Sequence, residues 1–158
     1  MTPGPQGYKS KTLATWIALI GGSLGLHRFY LHGLRDRWGW LFIWPTLVGL
    51  YGVQRMRHLG GDDHLAWALI PLLGLMVSVA MLSAIVYGLT SDERWNARYN
   101  PTGPQHRMGW PTVIGVVIAL VIGGGVLMAT LAFTAQRYFE YQADTASAAQ
   151  SNSPRPIQ

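Results

Sequence analysis

The chain has 158 residues, of which 49% are hydrophobic and 12% charged, with a net charge of +5 and no cysteine. Soluble domains carry charge on roughly a quarter of their residues, so this balance excludes an ordinary soluble globular domain, and the lack of cysteine excludes disulfides. The twelve Lys and Arg are spread over every loop, which speaks against nucleic acid as a partner.

Residues 1–7 are rich in Pro and Gly and read as a disordered tail. Two short apolar runs follow within residues 8–58, Leu13 to Leu26 and Trp38 to Val53. Each falls short of the ~20 residues that a helix needs to cross hydrocarbon. Flanking residues can extend them: Lys11 and Arg28 by snorkelling, and Phe29, Tyr30, Trp38 and Trp40 by lying in an aromatic belt. Two short or tilted spans are favoured over a re-entrant loop. The first run has the outline of a secretory signal, but it leads directly into His27-Arg28 without an Ala-x-Ala-like site, so it reads as an uncleaved anchor.

Between the second and third runs lies His58-Leu59-Gly60-Gly61-Asp62-Asp63-His64. Imidazoles and carboxylates are the ligand types that divalent ions take. Gly60-Gly61 breaks any helix that would align His58 with Asp62, so the segment reads as a solvated loop and no metal site is assigned. Asp62 and Asp63 suit the start of the next helix.

Residues 65–90 and 111–135 contain no Asp, Glu, Lys or Arg and each exceeds a membrane-length helix. They form a second transmembrane hairpin over residues 65–141. The loop between them, with Pro101, Gly103 and Pro104, has room for a short interfacial piece around Trp95 and Tyr99. Arg137 to Tyr141 extends the last helix beyond the membrane, and residues 142–158 read as a disordered tail. The fold class is therefore all-α: a polytopic membrane protein of about four transmembrane helices in two helical hairpins.

Small residues four apart mark faces where backbones approach closely. Gly21 and Gly25, Gly74 and Ser78, Ala80 and Ala84, and Gly125 and Ala129 are such pairs. They are expected to serve helix packing inside the chain, with homo-oligomerisation as their second use. Pro45 and Pro71 each remove a backbone hydrogen bond, and Gly123-Gly124-Gly125 loosens the last helix.

Lys9-Ser10-Lys11, the run Gly21-Gly22-Ser23-Leu24-Gly25, and His27-Arg28-Phe29-Tyr30-Leu31 followed by Gly33 resemble the signature of the two-transmembrane (TM-two) domain family over residues 8–58. In that family a lysine-led helix ends in a Gly-x-His-Arg-Phe-Tyr-Leu-Gly turn and a second short helix returns. His32 interrupts the Leu-Gly step, and Gly52 to Arg57 stands where the family commonly has a tryptophan-rich stretch and an aspartate. For bacterial-looking members the resemblance implies an integral membrane protein without assigned catalytic activity. Animal members have been linked to receptor-like signalling and peptide binding.

His27, Arg28, Phe29, Tyr30 and Gly33 are the candidate site. An arginine beside aromatic rings at a membrane surface can bind lipid phosphate, pair with a carboxylate on a neighbouring loop, or stack on a ring. No nucleophile elbow, phosphate-cradling loop or dinucleotide fingerprint occurs in the sequence, so no enzyme and no cofactor are expected. The function expected is a non-enzymatic interaction or assembly component of the cell membrane, specifically a bacterial inner membrane. Its partners would be membrane lipids and either further copies of itself or a larger membrane complex. The alternative is a small transporter or channel-like oligomer. With four spans, Lys and Arg divide six against six between the two sides, so the positive-inside rule gives no orientation.

Overall fold

A computed structural model describes residues 8–102 and 104–151. Six α-helices account for most of them: α1 (Lys11–Gly21), α2 (Leu26–His32), α3 (Arg37–Leu59), α4 (His64–Leu89), α5 (Asp92–Tyr99) and α6 (Trp110–Ser151). A 3₁₀ turn, Gly22–Leu24, joins α1 to α2, and no strand occurs among the described residues. Ser10, Asp36, Asp63 and Ser91 each accept a backbone N–H from the first turn of α1, α3, α4 and α5. These short polar side chains satisfy donors that a helix start leaves open.

The first apolar run is not one helix. α1 spans 11 residues, about 16 Å of rise, and the chain then reverses at Gly25, whose φ of 74° is left-handed. α2 returns alongside α1, so the two ends of this short hairpin meet. The Ser10 amide donates to the Tyr30 hydroxyl at 3.0 Å, and the Lys9 ammonium donates to the Leu31 carbonyl. The turn is seated halfway along its neighbours: Thr46 of α3 donates to the Ser23 carbonyl at 2.6 Å, and Gly22 abuts Ala80 of α4.

This geometry corrects the expectation of four transmembrane helices. Two helices, α4 and α6, are long and apolar enough to cross a membrane. α1 and α2 are each too short, and the tryptophans, glycines and Pro45 of α3 dilute its apolar character. α3 and α4 nevertheless run unbroken through Pro45 and Pro71.

Close approach of backbones holds α3, α4 and α6 together. Gly49 and Gly52 of α3 face the backbone of α4 at Leu73 and at Leu69 and Ile70, while Gly88 and Gly74 of α4 face Val116 and Thr130 of α6. The centre is made of small residues, with Ala18, Ala84 and Ala119 fully buried beside Met81. Large apolar side chains point outward instead: Leu82 is 58% exposed, Val121 70% and Met128 68%. Only 17% of the most apolar window of α4 and 6% of that of α6 is buried, the reverse of a soluble core helix.

α6 also departs from expectation at its end. Residues 142–151, read as part of a disordered tail, continue the helix through Ser151, as their alanines and glutamines permit. Residues 1–7 and 152–158, expected to be disordered, lie outside the described residues.

Candidate functional site

Three segments distant in sequence converge at one end of the bundle. Lys11, the first residue of α1, is fully buried, and its ammonium donates to Asp92 Oδ1 at 2.5 Å and to the Thr90 carbonyl at 2.9 Å. The other Asp92 oxygen accepts the Met108 amide at 2.6 Å. α5 thus lies across the mouth of the α1–α2 hairpin, tied to it by a charge pair. Burial raises the Asp92 carboxyl, but the Lys11 ammonium and the Met108 amide outweigh it and leave the group below its ordinary value.

Two asparagines one turn apart, Asn96 on α5 and Asn100 at its C-cap, then grip backbone on either side. Asn100 accepts the Lys9 amide at 2.9 Å and donates to the Lys9 carbonyl at 3.1 Å. Asn96 does the same to His106, accepting its amide at 2.8 Å and donating to its carbonyl at 2.9 Å. Trp95, 1% exposed, adds a third tie by donating from Nε1 to the Lys9 carbonyl. It packs with Ala14 and Leu31, and against Tyr87 and Tyr99. The Tyr8 hydroxyl and His106 Nδ1 lie 2.9 Å apart, and Thr12 meets Thr112 of α6 at 2.6 Å.

The sequence-predicted residues fall around this cap in different roles. His27 is buried between Phe42 and Tyr87, and its Nδ1 has no hydrogen-bond partner among the described residues. Arg28 donates to Asp36 at 2.7 Å, the carboxylate partner on a neighbouring loop. That guanidinium holds the Asp36 carboxyl below the usual range. Phe29 covers Gly39 and meets Trp40 edge-on, and Tyr30 closes the hairpin through Ser10. Gly33 ends α2 with φ 81° and has open space around it, so its backbone conformation is what requires glycine.

The packing pairs are met unevenly. Gly21 lies against Leu26, Gly25 against the Gly39 backbone, and Gly74 against Thr130. Ala80 and Ala84 are fully buried. Ser78 turns its hydroxyl back to the Gly74 carbonyl at 2.8 Å. Gly125 has open space around it and Ala129 is exposed, whereas Gly123 is the α6 glycine that packs on Met81. One or two residues along a helix turn a side chain to another face, so the expected α6 strip points outward.

At the opposite end, Asp63 caps α4 and pairs with Arg55 at 2.5 Å, while His64 packs at a tilt against Trp67. No group of three metal-ligating side chains is assembled among the described residues.

The tie between Lys11 and Asp92 was not legible in the sequence. Its one signal was Ser91-Asp92-Glu93, a helix start placed immediately after an apolar run. Protonating Asp92 removes that tie, which gives the cap an expected pH dependence. Because its folded pKa is depressed, its contribution is complete above about pH 3.9 and is lost as pH falls through the lower folded value. Near-ultraviolet circular dichroism of Trp95 in detergent should therefore hold steady from pH 7 to about 5 and change only in stronger acid. Asp92→Asn should remove that acid step.

Fold and site together define an all-helical chain with two membrane-length apolar helices, a short hairpin buried against them and a polar cap over its mouth. Comparison with family models, curated proteins and solved structures gives no match.

Proposed function

We propose that this chain is a multi-pass protein of a cell membrane, of the TM-two type in its first third, acting as a non-enzymatic assembly component. The observation that carries the reading is the contrast between an apolar lateral surface and a polar, hydrogen-bonded cap at one end. In a bilayer, helices with outward leucine, valine and methionine and inward glycine and alanine are stable without a soluble core. α4 and α6 cross the membrane, α3 crosses beside them because its 23 residues reach across and its Gly49 and Gly52 pack on α4, and α1–α2 enters and leaves from the capped face as a re-entrant hairpin buried in protein, the setting in which such backbone is tolerated.

This arrangement removes the tie in charge. The N-terminal segment, residues 33–36 and residues 90–109 share one face, as do the ends of α2 and α3 nearest them. That face collects eight of the twelve Lys and Arg and three of the seven acids. The positive-inside rule then makes the capped face cytoplasmic, as in a bacterial inner membrane.

Assembly is supported by the outer face of α6, where Gly124 and Gly125 are open, and by two apolar grooves between α4 and α6. One, about 360 Å³, runs beside Leu82 and Gly124, and the other, about 440 Å³, beside Gly74 and Ala129. Either a second copy or a helix of a larger complex fits such a surface. A small transporter would need Arg28, His32 or Arg35 on a water-filled path, and Arg28 is instead bonded to Asp36.

Single cysteines test this reading directly, since the chain has none of its own. In intact cells a membrane-impermeant maleimide should label Gly61→Cys, label Arg98→Cys only after permeabilisation, and leave Leu24→Cys unlabelled from either side. Labelling of the turn residue at 24 from the outside would restore a full first span and reject the re-entrant hairpin.

A further inference from the structure

We infer that the capped face is a docking surface for anionic phospholipid headgroups, built by exposed arginines on α5, in the segment that follows it and around the start of α3. This rests on the membrane reading above and adds the partner's chemistry.

The arginines at the two ends are used differently. At the far end, Arg55 pairs with Asp63 and Arg137 with Glu140, so two of the three described arginines there are neutralised by carboxylates. At the capped end Lys11 and Arg28 are the paired cations, with Asp92 and Asp36. Arg35, Arg37, Arg94, Arg98 and Arg107 are all exposed, and none appears in an ion pair among the described residues. Glu93 is the single acid left at that end outside an ion pair. These five arginines and Lys9, less Glu93, give this face a net charge equal to the chain's +5.

The fold holds these groups where headgroups would be. Arg94 and Arg98 are four apart on α5, so they project from one side of it, while Trp95, Asn96 and Asn100 on the other side are buried. α5 cannot roll, because Asp92, Asn96 and Asn100 are each tied to residues on other segments. His32 packs edge-on to Tyr99 and brings the end of α2 to α5. Trp38, Trp40 and Trp110, exposed by 63%, 52% and 79%, flank the arginines, as an interfacial aromatic belt does. Guanidinium forks bind phosphate oxygens two at a time, and fixed cations at a negatively charged leaflet are attracted within a Debye length of it.

The test is to reconstitute the full chain in nanodiscs of equal phosphatidylcholine and phosphatidylglycerol, and to measure by native mass spectrometry which lipid it retains on release. Wild type should retain about tenfold more phosphatidylglycerol than phosphatidylcholine. The triple variant Arg94→Gln, Arg98→Gln, Arg107→Gln should bring that ratio close to one, high salt should lower it in wild type, and Arg57→Gln at the other end should leave it unchanged. No enrichment in wild type, or equal enrichment in wild type and the triple variant, overturns the inference. A chain that fails to enter the bilayer at all rejects the membrane reading instead.

Discussion

Replacing Asp92 with asparagine is expected to destabilise the detergent-solubilised protein by about 3 kcal/mol, at the lower end of what removing one partner of a buried pair costs. Among the described residues, Lys11 has no other carboxylate. Its side chain is fully buried, and after the substitution its charge would rest on the Thr90 carbonyl and a neutral amide. The figure is at the lower end because the Asp92 side chain is 32% exposed and partly screened by water.

Lys11→Met should be milder, since the remaining carboxylate can turn toward solvent and keeps the Met108 amide. In a Lys11→Met background, Asp92→Asn should cost only about 1 kcal/mol. A thermal denaturation cycle over the four proteins measures the coupling. Additive losses would mean that the two side chains do not act as a pair.

Gly25→Ala is the second large effect, expected to cost about 2–5 kcal/mol from left-handed backbone strain and overpacking together. The residue has φ 74°, where an L side chain is strained, and a Cβ there would overlap the Gly39 carbonyl oxygen. Backbone cannot yield as a flexible side chain can, so α1–α2 would have to lift away from α3. The Thr46 to Ser23 hydrogen bond would stretch with it. Protease sensitivity near residues 22–25 should rise, and the melting temperature should fall. Gly125→Ala is the matched control: nothing lies within 4 Å of its added methyl, so in dispersed monomer it should be neutral. A Gly25→Ala protein as stable as wild type would show that the hairpin is not seated against Gly39.

Much of the helical content was legible. The uncharged runs 65–90 and 111–135 became α4 and the first part of α6 almost residue for residue, because length and apolarity suffice to specify such helices. Gly60 as a stop and Asp63 as a start were equally readable. Hydropathy does not show that the first run ends in a reversal at Gly22 to Gly25 instead of continuing as a span. Gly22, Ser23 and Gly25 are compatible both with a close-packed span and with a turn. Only the contacts of Gly22 with Ala80 and Gly25 with Gly39 separate the two.

Nor could spacing tell which glycine of Gly123-Gly124-Gly125 faces inward, since adjacent helical residues are about 100° apart around the axis.

The candidate site divides along the same line. His27, Arg28, Phe29 and Tyr30 stood out as a compact charged and aromatic turn, and Arg28 does find a carboxylate nearby, eight residues along the chain. Lys11 and Asp92 are 81 residues apart, and Lys9 and Asn100 are 91 apart. Local pattern cannot announce such a pairing. The sequence by itself determined that this chain is helical, apolar and basic, and where its two longest helices lie. Those properties are additive over neighbouring residues. The tertiary structure alone decided that α2 folds back along α1, that α5 caps this hairpin through a buried charge pair, and that five unpaired arginines gather at one end. Each of these depends on the depth at which a segment reverses, and that depth is set by which backbones can approach at glycine.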